Sequence, residues 1–183
     1  MYGKLSLDTL VEKVSGNLLI LDPDTIVHCD VTQLGMSAMA DLVLGVVYKQ
    51  RHTFNSGVML ANLAKWKEHG VEKALLASWL DDPDAKNPDQ DLLNRVVRPE
   101  WILRLDSRWN ILAHTWQPGM KGIIHCVGGR KPWHGDYRRN RDVQRLFFTH
   151  LDRTFLAGRR EWAVTGSLKR RLNKWRILRE RVA

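Results

Sequence analysis

The sequence predicts an α/β domain over residues 1–157 with a basic tail over 158–183, and three observations predict it. The run Leu42-Val43-Leu44-Gly45-Val46-Val47-Tyr48 is continuously apolar, as in a strand covered on both faces. Runs of this kind alternate with stretches whose apolar residues recur at helical spacing, the order of an α/β fold. Hydrophobic residues make up 44% of the 183 positions, enough for one sizeable core.

The elements follow in chain order. Leu5, Leu7, Leu10, Val11 and Val14 mark a short helix that Ser15-Gly16 terminates. Asn17 to Leu21 is a buried strand, the 42–48 run a second, and Gly57 to Leu60 a third. Asn62 to His69 and Val71 to Leu80 read as helices on either side of Gly70. Residues 81–88 have the Asp, Pro and Asn content of a loop, after which Asp89 is placed to cap a helix running to Val97. Trp101 to Leu105 and Gly122 to His125 are further strands, and Arg141 to Phe155 a further helix. No repeat, low-complexity segment or domain linker interrupts this pattern.

No stretch reaches the roughly 20 apolar residues of a membrane-spanning helix, and the N-terminus lacks a basic segment followed by an apolar one. A cytoplasmic protein is expected. Cys29 and Cys126 fit a reducing compartment as small hydrophobes. The net charge of +9 is concentrated at one end: residues 158–183 hold nine basic residues against Glu161 and Glu180, or +7. Within that tail Leu168, Leu172, Trp175, Leu178 and Val182 fall on one stripe of a helix. Such a basic amphipathic helix suits an anionic membrane surface, or packs its stripe on the domain with its basic face solvated.

Asp22-Pro23-Asp24 directly follows the strand ending at Leu21. An extended chain would put both carboxylates on one side, about 7 Å apart. There they share one hard divalent cation, or one binds it while the other holds a ligand hydroxyl. The alternative is a solvated strand end at which Pro23 starts a turn. Gly128-Gly129-Arg130-Lys131 supplies flexible amides and two cations, a composition suited to phosphate oxygens or to a plain surface turn.

Asp22-Pro23-Asp24 stands ahead of four more blocks: Phe54-Asn55-Ser56-Gly57 running to Asn62-Leu63, Pro88-Asp89-Gln90-Asp91 running to Asn94, Leu105-Asp106-Ser107-Arg108-Trp109-Asn110, and Ile124-His125-Cys126-Val127-Gly128 with Lys131-Pro132-Trp133-His134. In this order and spacing the blocks resemble glycosyltransferase family 8, from Tyr2 to His134. The resemblance implies a GT-A-like, Rossmann-like nucleotide-diphospho-sugar transferase fold. It also implies a retaining, metal-dependent hexosyltransferase that moves glucose or galactose from a nucleotide sugar to a glycan or lipopolysaccharide acceptor.

By the same resemblance Asp22, Asp24 and His125 hold manganese or magnesium, while Lys4, Gly128 and Lys131 lie at the donor diphosphate. Asn55, Ser56, Asp89 and Gln90 contact the transferred sugar, with Asp89 and Gln90 as the catalytic candidates and Gln90 beside the anomeric carbon. Trp133 anchors its loop rather than stacking on a ligand. The basic C-terminus implies a peripheral position at the inner face of the cytoplasmic membrane.

The match begins at the helix before the Asp-x-Asp strand, so the resemblance further implies a truncated transferase lacking most uracil and ribose contacts and weakly active alone. Sheet edges left open in such a fragment favour self-association. A catalytically incomplete module of the same fold is the alternative. A nucleic-acid reading, with Trp162 and Trp175 stacking bases along the basic tail, leaves the ordered blocks unexplained.

Overall fold

The computed structural model describes residues 4, 7, 15–37, 39–82, 88–134 and 137–158. Of the helix expected from Leu5 to Val14 only Leu7 is among them, and it is buried in the core. The amphipathic tail beyond Gly158 lies outside the described residues, as does most of the loop expected over 81–88.

Seven strands and five α-helices are described. In order these are β1 (Asn17–Leu21), β2 (Thr25–His28), α1 (Thr32–Gly35), β3 (Leu44–Gln50), β4 (Thr53–Asn62), α2 (Leu63–Glu68), α3 (Val71–Asp81), α4 (Pro88–Val96), β5 (Ile102–Arg104), β6 (Ile111–Leu112), β7 (Gly122–His125) and α5 (Arg141–Leu151). One sheet has the order β1-β4-β3-β5, and a second the order β2-β7-β6. β4 pairs antiparallel with both β1 and β3, whereas β3 and β5 are parallel.

The larger sheet is covered on both faces, as its unbroken apolar runs require. Alternation along β4 sends Met59 and Ala61 to one side, where they join Trp66, Val71, Leu75, Leu92 and Leu93. Val58 and Leu60 go to the other, with Leu34, Trp109 and Ile123. Gly45 of β3 fits because a Cβ there would stand 3.3 Å from the Leu60 Cβ.

The helices end where local chemistry says they should. Asn62 caps α2 by accepting from the Lys65 amide, and Gly70, at φ +60°, turns the chain into α3. Asp89 is not a cap: α4 begins one residue earlier, with Pro88 in the first turn, where its missing amide hydrogen costs nothing. Residues 99–101 and 107–110 form 3-10 turns, the second opened by the Asp106 side chain accepting from the Arg108 amide.

The chain divides into two compact units: residues 1–111 with 121–124, and residues 112–120 with the chain from His125 on. β6 and β7 each contribute their last residue to the second unit. That unit is organised by α5. Its cap, Asn140, accepts from the amides of Asp142 and Val143 and donates to the carbonyls of Ala113 and Trp116, at 2.9 and 2.8 Å. Gln144 of α5 donates to the carbonyls of Pro132 and His134 and so fixes the loop after β7. Ala113, Trp116, Cys126, Tyr137 and Val143 are buried there. Among the described residues no helix is long and apolar enough to cross a membrane.

Candidate active site

Asp22-Pro23-Asp24 is a turn, not an extended segment. The Thr25 amide and hydroxyl both donate to the Asp22 carbonyl, at 3.1 and 2.9 Å, closing a four-residue turn with Pro23 at its second position. A fixed proline φ suits that position, which is why the expected extended geometry gives way. The Asp22 amide donates to the Gly57 carbonyl at 2.8 Å, so the turn is pinned to β4.

Lys4 organises the carboxylates beside it. Its ammonium lies 2.5 Å from Asp22 Oδ1 and 3.3 Å from Asp89 Oδ2, and donates to the Ser56 carbonyl at 2.7 Å. Lys4 thus bridges a metal-ligand candidate and a sugar-contact candidate. Asn55 is locked in a polar chain: its Nδ2 donates to Gln90 Oε1 at 3.1 Å, and its Oδ1 accepts from the Gly57 amide and from Asn110 Nδ2, at 3.0 and 2.9 Å. Ser56 is buried between them in sequence. The structure therefore joins Lys4, Asp22, Ser56 and Asp89 in one network, and Asn55 with Gln90 in another.

Two braces carry no role in the sequence reading. Asn94 accepts from the Phe54 amide and donates to the carbonyls of Phe54 and Gln90, at 2.8, 3.0 and 2.8 Å, tying α4 to β4. Its place one turn after Gln90 was the available signal. Asn110 is 6% exposed and holds Asn55; a buried amide beside Trp109 in an already recognised block was the signal there.

His125 ends β7 and is 3% exposed. The loop after it is folded on itself. Lys131 Nζ donates to the Cys126 carbonyl at 2.8 Å, and the Lys131 amide donates to His134 Nδ1 at 3.0 Å. Gly128 has φ +94°, a conformation that calls for glycine, whereas a Cβ there would meet only the end of the flexible Arg139 side chain, at 3.2 Å. Trp133 packs against Phe147, ring centroids 5.5 Å apart, in keeping with an anchoring role.

Asp22, Asp24 and His125 each offer one ligand atom, and these atoms all lie within 4.8 Å of one another. Ligands of a hexacoordinate ion at about 2.1 Å stand about 3 Å apart when adjacent and about 4 Å when opposite. Two carboxylates and an imidazole at this separation fit manganese or magnesium with small adjustments, and leave positions for phosphate oxygens.

A mixed sheet buried on both faces, with a carboxylate turn at a strand end, makes this an α/β domain, and its fold is that of the GT-A glycosyltransferases. Solved structures bear this out. WbbM, a bifunctional glycosyltransferase, superposes with a TM-score of 0.75 at 15% identity, covering 90% of this chain and 37% of that one. The galactosyltransferase LgtC, solved with donor and acceptor sugar analogs, gives 0.62 at 24% identity, covering 78% and 64%.

The profile of Glycosyl transferase family 8 matches residues 1–136, and the chain belongs to that family. Among curated relatives, Glycosyltransferase GlyA of Streptococcus pneumoniae is 31% identical over 134 residues, covering 63% of this chain and 19% of that protein. The lipopolysaccharide glucosyltransferase WaaO of Escherichia coli is 28% identical over 104 residues, covering 50% and 30%. The chain thus spans well under two thirds of the length of these relatives.

Proposed function

We propose that this chain is a metal-dependent, retaining hexosyltransferase domain that moves glucose or galactose from a uridine diphosphate sugar to a glycan acceptor of the lipopolysaccharide type. The observation that carries this is the convergence of Asp22, Asp24 and His125 in a family 8 chain. A manganese or magnesium ion held by these three residues would supply positive charge to the diphosphate as the glycosidic bond breaks.

The protein's own residues do the rest. Lys131 and the backbone at Gly128 face the diphosphate, and Lys4 adds a second cation to it. Asp89 accepts sugar hydroxyls, and Gln90, held by Asn55, fixes the anomeric carbon. In a front-face displacement the bond from that carbon to the phosphate oxygen breaks and its electron pair stays on the phosphate. The acceptor hydroxyl bonds to the same face of the carbon, and its proton passes to the departing phosphate oxygen. This route suits a site whose nearest side chain, Gln90, is a poor nucleophile. Action on a membrane-borne glycan from the cytoplasmic face, with the 158–183 tail on anionic lipid, belongs to the same reading.

Calorimetric titration of manganese with and without uridine diphosphate tests it. Wild type should bind metal more tightly with the nucleotide present, and Asp24→Ala should lose that binding. Equal binding by both proteins would remove the metal assignment. A second reading, a non-catalytic module of this fold, draws on the Lys4 ammonium already seated on Asp22; metal-nucleotide binding without release of uridine diphosphate from its hexose would favour it.

A further inference from the structure

Beside the donor-sugar residues lies an open cleft of about 330 Å³, formed where the first turns of α4 face the β3–β4 hairpin. Gln90 lines it while also meeting Asn55, so the cleft adjoins the place where the transferred sugar is held. We propose that this cleft is the acceptor subsite and that it takes a sugar bearing a negative charge, as a phosphate or a uronic acid carboxylate. The inference rests on the transferase reading and deepens it by naming the acceptor's chemistry.

The lining argues for a sugar. Gln50 and Gln90 supply two amides, and Thr53 a hydroxyl, the groups that pair with vicinal hydroxyls. No aliphatic or aromatic side chain is among the residues that line it, which disfavours a lipid chain or an aromatic ligand. The wall is stiff: Asn94 is held by three hydrogen bonds to β4 and to its own helix. The volume sits at the small end for ligand clefts and suits a single ring with a substituent.

Two cations line the cleft, together with the Asp91 carboxylate. Arg95 is committed to Asp82, at 3.0 Å, and reaches Ser78 at 3.4 Å, so its charge is already matched. Lys49 lines the same cleft and has no ion-pair partner among the described residues. The Lys49 ammonium, which forms no ion pair with Asp91 or with any other described residue, gives an anionic sugar placed beside it an advantage over a neutral one of the same shape.

The test is an NMR titration of the full chain with glucose, glucuronate and glucose 6-phosphate, repeated on Lys49→Met and on Lys73→Met. Lys73 is exposed on α3 outside the cleft and serves as the charge control. The anionic sugars should bind about fivefold more tightly than glucose, the scale of one solvated ion pair. Lys49→Met should abolish the difference and Lys73→Met should keep it. Preference for only one anion identifies the substituent as carboxylate or phosphate.

Equal binding of all three sugars, an advantage that survives Lys49→Met, or inorganic phosphate binding as tightly as glucose 6-phosphate would each overturn the subsite. Uridine diphosphate with manganese, titrated into the same samples, reads the donor side separately. Its binding intact beside a failed sugar titration sinks the cleft alone; its absence sinks the transferase reading and the acceptor assignment with it.

Discussion

Tyr137 is a buried phenol. It is 1% exposed, its hydroxyl has no hydrogen-bond partner among the described residues, and burial pushes its pKa up to about 12. Unfolded tyrosine titrates near 10, so below that pH both states hold the proton; between about 10 and 12 only the unfolded state releases it, and stability falls as pH rises. Tyr137→Phe removes both features. Urea denaturation should show it as stable as wild type or about 1 kcal/mol more so at pH 7, with a shallower alkaline decline. Lys4 offers the opposite case, a polar group with three partners. Lys4→Met should tighten manganese binding by Asp22 and Asp24 in the absence of nucleotide by about tenfold, because a charge-assisted bond no longer competes, and should weaken donor binding. Calorimetry on the two proteins separates the effects.

At the scale of elements, Gly122 decides where β7 can lie. A Cβ at this position would stand 2.1 Å from the Arg108 carbonyl oxygen and 2.8 Å from Ile111 Cδ1, so the strand approaches the 107–110 turn more closely than any side chain permits. Gly122→Ala should cost about 3 kcal/mol or more in urea denaturation. Metal binding should fall with it, since β7 ends in His125. Nothing in the sequence announced this contact: a glycine opening an apolar strand has many ordinary explanations, and the steric demand comes from a residue distant in the chain. What was legible came from pattern and chemistry that are local. The continuous apolar run at 42–48 foretold a strand buried on both faces, and the ordered blocks foretold the α/β glycosyltransferase fold. β6 has too few residues for any periodicity to register, and the Ile26-Val27 pair of β2 stands directly after the Asp22-Pro23-Asp24 turn with no apolar run to mark it. The Asp22-Pro23-Asp24 segment departs from the extended geometry that alternation predicts because Pro23 sets a turn, although the side chains converge all the same.

At the scale of the whole molecule, charge and topology each have a consequence. With +7 of the +9 net charge on residues 158–183, the tail should bring the protein to anionic vesicles at low salt and release it at high salt, each basic residue near the surface being worth on the order of 1 kcal/mol. Co-sedimentation with anionic and neutral vesicles, with and without residues 158–183, checks this; equal sedimentation of the shortened protein would remove the membrane role of the tail. The strand order β1-β4-β3-β5 bears on how the chain acquires its shape at all. Only β3 and β4 are joined by a tight connection; β1 must find β4 across the register Asn17 to Asn62, and β3 must wait for Ile102 to meet Leu44. Loop closure on that scale precedes any reward from pairing, so folding should be slow for a chain of this length. During synthesis the apolar hairpin stands complete while one edge is still open, and any ribosome stalled before Ile102 holds a strand ready to pair with the wrong neighbour.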